Sequence, residues 1–204
     1  KHTGHNAVVM TVAADGSAIY PSRLLDPTPK FDSGIFFETG QDPVRKDVLE
    51  MLFRMFDRAG IKLIPAVQFA TPLPRLEAQL RRNRSSSEGI SLLFRTGESW
   101  QHRFGTAGNA ALYNPLDDRV QRAMTDVLQE LVRRYGKHRS FGGIQVSLNA
   151  KGFAQLPSEY WGCDRTTLQA FIAQTGGPRT LSANQIFRNK KLYTKWLNWR
   201  ARRE

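Results

Sequence analysis

The sequence predicts an α/β fold in which helices alternate with parallel strands. An amphipathic helix that ends at a glycine and leads into an apolar strand occurs twice, within residues 42–69 and again within residues 114–149. Strands connected through helices of this length pair in parallel by right-handed crossovers. The 204 residues are 40% apolar and 24% charged, so the composition is globular and the chain is long enough to bury a sizeable core.

The first elements are predicted from apolar spacing and capping residues. A strand is predicted over residues 7–12. A helix then begins with Asp42 as its N-cap and Pro43 at its first position, where the missing N–H costs nothing, and it ends at Gly60. Apolar residues at helical spacings predict one buried stripe on this helix, formed by Val44, Val48, Met51, Leu52, Met55, Phe56 and Ala59.

The second unit of this kind follows a long loop. Its preceding strand is predicted over residues 61–69, with Pro65 as the one unfavourable residue. The Asn114-Pro115 pair opens the next helix and Gly136 ends it. The apolar positions that predict the buried face of this helix are Val120, Met124, Val127, Leu128, Leu131, Val132 and Tyr135.

Three further elements complete the prediction. A strand is predicted over residues 141–149. A helix over residues 164–174 has Asp164 as its N-cap, and a last helix is predicted over residues 183–203.

The loops are long after each strand and short before it. Residues 13–41, 71–113 and 150–163 follow strand ends, whereas the helix-to-strand turns at Gly60 and Gly136 are short. This asymmetry is typical of a (β/α) barrel, and an open doubly wound sheet shares it.

The number of elements predicts an incomplete barrel. Three strands and about four helices are found, where a closed (β/α)8 barrel needs eight of each in ~250 residues. We therefore expect residues 1–204 to be a single partial TIM-barrel domain, roughly half of the barrel. The remaining strands are expected on chain beyond this sequence or on a second copy, since open sheet edges favour aggregation or pairing.

The net charge of +12 is concentrated in the second half of the chain. Residues 1–100 carry 13 basic and 11 acidic side chains, whereas residues 101–204 carry 17 and 7. A basic C-terminal segment can bind polyanions. It can equally be the solvated face of a helix whose acidic partners lie on chain beyond this sequence.

Several function classes are excluded or left without support. The single cysteine, Cys163, excludes an intramolecular disulfide framework and a cysteine-rich zinc module. His2 and His5 alone do not predict a metal site, and P-loop, nucleophile-elbow and dinucleotide motifs are missing. No metal and no cofactor is therefore predicted. No membrane span or signal peptide is visible, and the compartment stays open.

Several stretches share the pattern of one family of barrel proteins. They are residues 31–34, 40–50, 56–69, 113–116, 135–136, 140–144, 155–157, 161–162 and 196–200. In these stretches, which include Gly40-Gln41-Asp42-Pro43 and Tyr113-Asn114-Pro115, the chain resembles the family-10-like glycosyl hydrolases of large bacterial proteins. The resemblance implies a TIM barrel, carbohydrate substrates, hydrolysis of glycosidic bonds and no obligatory cofactor.

One departure bears on the catalytic residues. In barrel glycosidases of the large retaining clan, the acid/base glutamate follows an asparagine at the end of the fourth strand. The candidate strand here ends in Asn149, and Ala150 follows it. Either the usual acid/base is missing, or this is an earlier strand and the catalytic pair lies on chain beyond this sequence.

Glycoside hydrolysis needs two carboxyl groups across the scissile bond. They lie ~5–5.5 Å apart for retention and ~6.5–9.5 Å apart for inversion. Glu159 is the catalytic candidate, because Tyr160 and Trp161 beside it could raise its pKa and stack on a sugar ring. The alternative for Glu159 is an exposed loop residue. The other carboxylates on the inferred C-terminal face are Asp15, Asp32, Glu38 and Asp164, the last of which fits a helix cap.

Five residues are predicted to bind substrate: Asp32, Gln68, Tyr113, Asn149 and Trp161. Gln68 and Asn149 lie at strand ends, where a barrel presents side chains to its mouth, as does Ser147. A buried Gln68 needs a hydrogen-bond partner, which a sugar hydroxyl or a neighbouring strand could supply. Tyr113 and Trp161 could stack on sugars or pack in the core, and Asp32 could bind substrate or hydrogen-bond within its loop.

Two alternatives to hydrolysis remain open. One is a barrel that binds carbohydrate without catalysis. The other is nucleic-acid binding by the C-terminal segment, in which cations alternate with Trp196 and Trp199 and could combine phosphate neutralisation with base stacking. Against it, apolar residues fall there at helical spacings, so the tryptophans are expected to be buried, and no recognised nucleic-acid module is present.

Overall fold

The computed structural model describes residues 4–14, 16–27, 47–70, 72–82, 88–104, 113–149, 152–178 and 180–203. Within these residues the chain is a mixed α/β protein, as the sequence predicts. The strands are β1 (Ala7–Ala14), β2 (Ser17–Ala18), β3 (Asp26–Pro27), β4 (Lys62–Gln68) and β5 (Gln145–Ser147). The helices are α1 (Val48–Ala59), α2 (Pro74–Arg82), α3 (Trp100–Phe104), α4 (Asp118–Tyr135), α5 (Arg165–Thr175), α6 (Ala183–Arg188) and α7 (Lys190–Ala201).

The five strands form one mostly parallel sheet in the order β3-β2-β1-β4-β5. The pairs β1–β4, β4–β5 and β2–β3 are parallel, and β1–β2 is antiparallel. The predicted parallel pairing is therefore confirmed. Continuous pairing of β4 with β5 begins at Ala66, after Pro65, which has no N–H to donate to a neighbouring strand.

The chain divides into two compact units. The first unit comprises Lys1–Phe69 and Thr125–Ser147, and the second comprises Ala70–Met124 and Leu148–Glu204. The sheet and α1 belong to the first unit, whereas α2, α3, α5, α6 and α7 belong to the second. The assignment of residues 1–204 to a single partial domain stays a prediction.

The core of the first unit is centred on Phe53 of α1. This ring is fully buried and stacks on Tyr135 at a centroid distance of 5.3 Å and on His138 at 5.0 Å. Tyr20 packs edge-on against Tyr135 at 5.8 Å. Leu49, one turn before Phe53, is also fully buried, so α1 uses the face that carries these two residues.

The predicted start of α1 is wrong, and its predicted buried stripe is wrong in part. Val48, Leu52 and Phe56 are half-buried, Met51, Met55 and Ala59 are exposed, and Val44 lies outside the described residues. The helix begins after Asp47, whose side chain accepts a hydrogen bond from the Glu50 N–H and thus serves as the N-cap. Asp42 lies outside the described residues. Met51 and Met55, predicted to be buried, are 56% and 61% exposed, because the helix buries the neighbouring face. Gly60, with φ of 69°, ends the helix as predicted.

The core of the second unit includes rings from α5 and α7. Phe171 packs edge-on against Trp196 at 5.2 Å and against Trp199 at 5.6 Å. Both tryptophans are buried, as the helical spacing predicts. The single helix predicted over residues 183–203 is instead two helices, because Asn189 takes an extended backbone and accepts a hydrogen bond from the Leu192 N–H.

Buried polar side chains fix the starts of α4 and α5. Asp164 is the N-cap of α5, as predicted, and accepts hydrogen bonds from the Thr167 N–H and hydroxyl at 2.9 and 2.6 Å. It also accepts from Nδ2 of Asn114 at 2.8 Å. The Oδ1 atom of Asn114 accepts from the Leu116 N–H, so a turn precedes α4 and the helix begins at Asp118, later than predicted.

Candidate functional site

Two polar side chains lie side by side at the C-terminal end of the sheet in the first unit. Gln68 of β4 pairs in register with Ser147 of β5, and both are half-buried. Paired residues of adjacent strands place their side chains on the same face of a sheet. The strand end therefore presents an amide and a hydroxyl together. That this end is a barrel mouth and that the two residues bind substrate there remain predictions.

The second unit contains a continuous row of seven aromatic rings, which we call the aromatic row. Adjacent centroids are 4.6 to 6.2 Å apart. Tyr160 and Phe104 are 37% and 55% exposed, so part of the row reaches the surface. In spatial order the row consists of Phe104, Trp100, Trp161, Phe94, Tyr160, Phe187 and Tyr193.

A small hairpin holds the middle of the aromatic row in place. Leu93 and Ser99 form an antiparallel bridge around a turn in which Gly97 has φ of 89°. A second bridge joins Phe94 to Trp161, and the Arg95 N–H donates to the Tyr160 carbonyl at 2.9 Å. Backbone hydrogen bonds thus place the rings of two distant segments against each other.

Two arginines lie against the aromatic row. The guanidinium carbon of Arg95 is 5.1 Å from the Tyr160 centroid and 5.8 Å from the Phe187 centroid. That of Arg103 is 4.2 Å from the Phe94 centroid. Arg103 also pairs with Glu98 at 2.9 Å. Both arginines are exposed, and their distances to the rings are those of cation–π contacts.

Glu159 and Trp161, two of the residues singled out from the sequence, lie beside this row. Trp161 is a member of the row and is 4% exposed. Glu159 is half-buried, and its backbone carbonyl accepts a hydrogen bond from Nη1 of Arg200. Its carboxylate has no hydrogen-bond or ion-pair partner in the part of the chain that the structure describes. Burial and the negative charge of Glu159 raise the pKa of Tyr193, at the end of the row.

Tyr113 is held in the second unit by a carboxylate that the sequence did not single out. Its hydroxyl donates to Oε1 of Glu77 at 2.6 Å and accepts from the Leu73 N–H at 3.0 Å. The ring is 1% exposed and packs edge-on against Phe153 at 4.9 Å. Burial and the hydrogen bond to Glu77 raise the pKa of Tyr113. The sequence signal that could have indicated Glu77 as a candidate site residue is its position in the first turn of a helix after β4.

The other predicted substrate-binding residues are less informative. Asn149 is half-buried, and its backbone carbonyl accepts from the Gly152 N–H at 3.1 Å. Asp32 lies outside the described residues. The substrate-binding roles of Asp32, Tyr113, Asn149 and Trp161 therefore remain predictions.

The described residues contain neither a cluster of metal-ligating side chains nor a membrane-spanning helix. No group of three or more histidine, cysteine, aspartate or glutamate side chains in this part of the chain is arranged to hold a metal ion. Among the described helices, none is both long and apolar enough to cross a bilayer.

The mixed α/β fold, with polar residues at the ends of parallel strands, is compatible with a glycosidase-like protein. The whole-chain comparison agrees: the family model described as glycosyl hydrolase-like 10 matches residues 1–203, and the chain belongs to this family. The resemblance identified from the sequence is thereby confirmed. Comparison with curated proteins and with solved structures gave no match.

Proposed function

We propose that this chain is part of a (β/α) barrel glycoside hydrolase that cleaves a polysaccharide or oligosaccharide with paired carboxylates at the C-terminal face of the barrel. Membership of the glycosyl hydrolase-like family supports a carbohydrate ligand. The parallel pairs β1–β4 and β4–β5 and the long segments that follow these strands support the barrel.

The observation that carries the proposal is the position of Glu159 beside the aromatic row. Its carboxylate has no hydrogen-bond or ion-pair partner among the described residues, so none of them competes with a ligand for its oxygens. The adjacent Tyr160 ring is exposed and can pack on the C–H face of a sugar. We therefore assign to Glu159 the role of the general acid, which needs a carboxyl group within hydrogen-bond reach of the glycosidic oxygen.

Glu77 is our candidate for the second carboxylate. Of the other described carboxylates in the second unit, Glu98, Asp117 and Asp118 each pair with an arginine, and Glu88 is exposed, whereas Glu77 is half-buried. Asp164 caps α5. Glu77 instead accepts one neutral hydrogen bond, from the Tyr113 hydroxyl to its Oε1 atom. Such a bond orients a carboxylate and leaves its charge uncompensated.

The missing half of the barrel is proposed to come from further chain or from a second copy. β1 pairs with β2 only at Ala13 and Ala14, whereas it pairs with β4 from Ala7 onwards. Val8 and Val9 of β1 are 38% and 53% exposed. An apolar strand with one unpaired edge among the described residues is the surface that an added strand covers.

Substitution of Glu159 tests the hydrolase. We expect Glu159→Gln to lower the rate of reducing-sugar release from the cleaved glycan by about 100-fold or more, the size of a general-acid contribution. The matched control is Glu88→Gln, an exposed glutamate of the same unit. Both variants should keep the far-ultraviolet circular dichroism of the parent chain. An unchanged rate for Glu159→Gln would remove the assignment.

The alternative function is carbohydrate binding without catalysis. It is favoured by the sequence just after β5, where Asn149, two residues beyond the last strand residue Ser147 and not at the strand end as predicted, is followed by Ala150 and not by a glutamate. A chain that binds a glycan and releases no reducing ends from it, in the parent and in Glu159→Gln alike, would support this alternative. Nucleic-acid binding by the C-terminal segment loses support, because Trp196 and Trp199 are 0% and 7% exposed and thus unavailable for base stacking.

A further inference from the structure

The chemistry of Arg95 indicates which kind of sugar the aromatic row fits. This side chain is exposed, and its guanidinium carbon lies within 6.0 Å of three ring centroids, those of Phe94, Tyr160 and Phe187. Among the residues that the structure describes, no carboxylate pairs with it. A guanidinium that is retained by ring contacts instead of an ion pair keeps its N–H donors available to a ligand.

The neighbouring Arg103, unlike Arg95, is paired with a carboxylate. Its Nη1 atom is bound to Oε2 of Glu98 at 2.9 Å, so its charge is largely compensated. Thr96 donates to the same carboxylate oxygen at 3.1 Å. Among the described residues, this surface thus combines exposed aromatic rings with the Arg95 guanidinium, which pairs with no carboxylate and lies at the middle of the row.

We propose that the aromatic row and Arg95 form a binding site for a glycan that contains uronic acids. The exposed rings of Tyr160 and Phe104, separated by other rings of the row, pack on the C–H faces of different sugars of the same glycan chain. The Arg95 guanidinium binds a sugar carboxylate through two parallel N–H···O bonds, the geometry that the planar guanidinium favours. This inference rests on the proposed function, since it names the substrate class of the site beside Glu159.

A single-stranded nucleic acid is the less suitable occupant of this surface. Nucleic-acid binding draws its affinity from the neutralisation of several phosphates. Arg95 and Arg103 are the arginines that contact the described row from outside it, and Glu98 compensates the second. In the part of the chain that the structure describes, a single unpaired guanidinium beside the aromatic rings fits a sparsely charged sugar chain better than a chain with a phosphate at every unit.

Calorimetric titration of the full chain tests this site. The probes are polygalacturonate, alginate and hyaluronate, each compared with its carboxyl-methyl-esterified form, which has the same backbone without the charge. We expect at least one acid form to bind and esterification to weaken it about tenfold or more. Arg95→Gln should weaken the acid form by a similar factor and leave the esterified form unchanged. Arg122→Gln, an exposed arginine of the same unit, is the control.

Each other outcome overturns the site. It is overturned if no acid glycan binds, if esterification has no effect, or if Arg122→Gln weakens binding as much as Arg95→Gln does. Tighter binding of single-stranded DNA, lost steeply with salt, would identify a nucleic-acid surface instead. Arg95→Lys keeps the positive charge and loses the planar guanidinium. Intermediate binding by this variant would show that the weaker binding of Arg95→Gln comes from the missing charge and not from unfolding. If the chain binds an acid glycan but does not hydrolyse it, the proposed hydrolase activity is contradicted and the uronic-acid site is not. If the chain hydrolyses a glycan without a preference for acid sugars, the uronic-acid site is contradicted and the hydrolase activity is not.

Discussion

The Nδ1 atom of His138 lies 2.7 Å from Oδ2 of Asp57. On the other side of the ring, Nε2 lies 3.0 Å from Oε2 of Glu50. An imidazole donates from both nitrogens only when it is protonated. Burial opposes the charge, but the hydrogen bonds to Asp57 and Glu50 outweigh it and raise the pKa of His138. The protonated imidazole of His138 therefore connects the turn after α4 to α1 through hydrogen bonds to Asp57 and Glu50.

We expect this cation to make the stability of the first unit pH-dependent. The stabilisation is complete below the ordinary histidine pKa of 6.5 and is lost as the pH rises through the raised pKa of the folded state, because the folded chain holds its proton longer than the unfolded chain. Urea denaturation followed by circular dichroism at several pH values from 5 to 9 would measure it. His138→Gln should abolish the dependence, and the exposed His102→Gln should keep it. A parent chain that is equally stable across this range would contradict the prediction.

The buried carboxylate of Glu130 gives a second prediction. It accepts from the Tyr20 hydroxyl at 3.3 Å, the Ser22 hydroxyl at 2.6 Å and the Arg23 N–H at 2.9 Å. Glu130→Leu leaves these donors without an acceptor and should lower the free energy of unfolding by about 3 kcal/mol. The exposed neighbour gives the control, Gln129→Leu, which should stay within about 0.5 kcal/mol of the parent. A loss below about 1 kcal/mol in urea denaturation would refute this role.

The two faces of α1 give a third prediction. Phe53 is 0% exposed, and Met55 on the same helix is 61% exposed. Phe53→Ala should cost about 3–5 kcal/mol of unfolding free energy, since it leaves a cavity between Tyr135 and His138. Met55→Ala should stay within about 0.5 kcal/mol of the parent. If Phe53→Ala and Met55→Ala lowered the free energy of unfolding equally, the face of α1 that carries Met55 would be buried and the prediction would be wrong.

The Tyr113 hydroxyl gives a fourth prediction. Tyr113→Phe keeps the contact with Phe153 but removes the donor to Glu77 and the acceptor for the Leu73 N–H. We expect a loss of about 1–2 kcal/mol in the free energy of unfolding. Tyr160→Phe is the matched control, because Tyr160 is 37% exposed and its hydroxyl makes no hydrogen bond to a described residue. If Tyr160→Phe proves as costly as Tyr113→Phe in chemical denaturation, the hydrogen bonds of Tyr113 are not the cause.

Local signals predicted much of the fold. The glycine after α1, the aspartate cap of α5 and the parallel pairing of the apolar strands each depend on residues close in sequence or on a strong period. The burial of α1 could not be predicted in this way, because the helix has apolar residues on two faces. The face with Phe53 is buried instead of the face with Met55 because Phe53 packs against Tyr135 and His138, which are more than 70 residues away in the sequence.

The candidate site was predicted less completely for the same reason. Glu159 and Trp161 were found because they are neighbours in the sequence. Phe94 and Arg95 were missed, since the hairpin that places them against Tyr160 brings together segments with no common periodicity. Glu77 was missed because its relation to Tyr113 depends on the course of the chain between them.

The division of the chain into two units has a consequence for optical spectroscopy. The four tryptophans of the sequence are Trp100, Trp161, Trp196 and Trp199, and all of them belong to the second unit. Intrinsic tryptophan emission excited at long wavelength therefore comes from this unit alone. Trp100 and Trp161 lie in the aromatic row, whereas Trp196 and Trp199 lie on α7 and pack against Phe171 of α5. Single tryptophan-to-phenylalanine variants would therefore separate the signals of these two regions. The first unit has no tryptophan, and its unfolding would be invisible at this wavelength while the second unit stays folded.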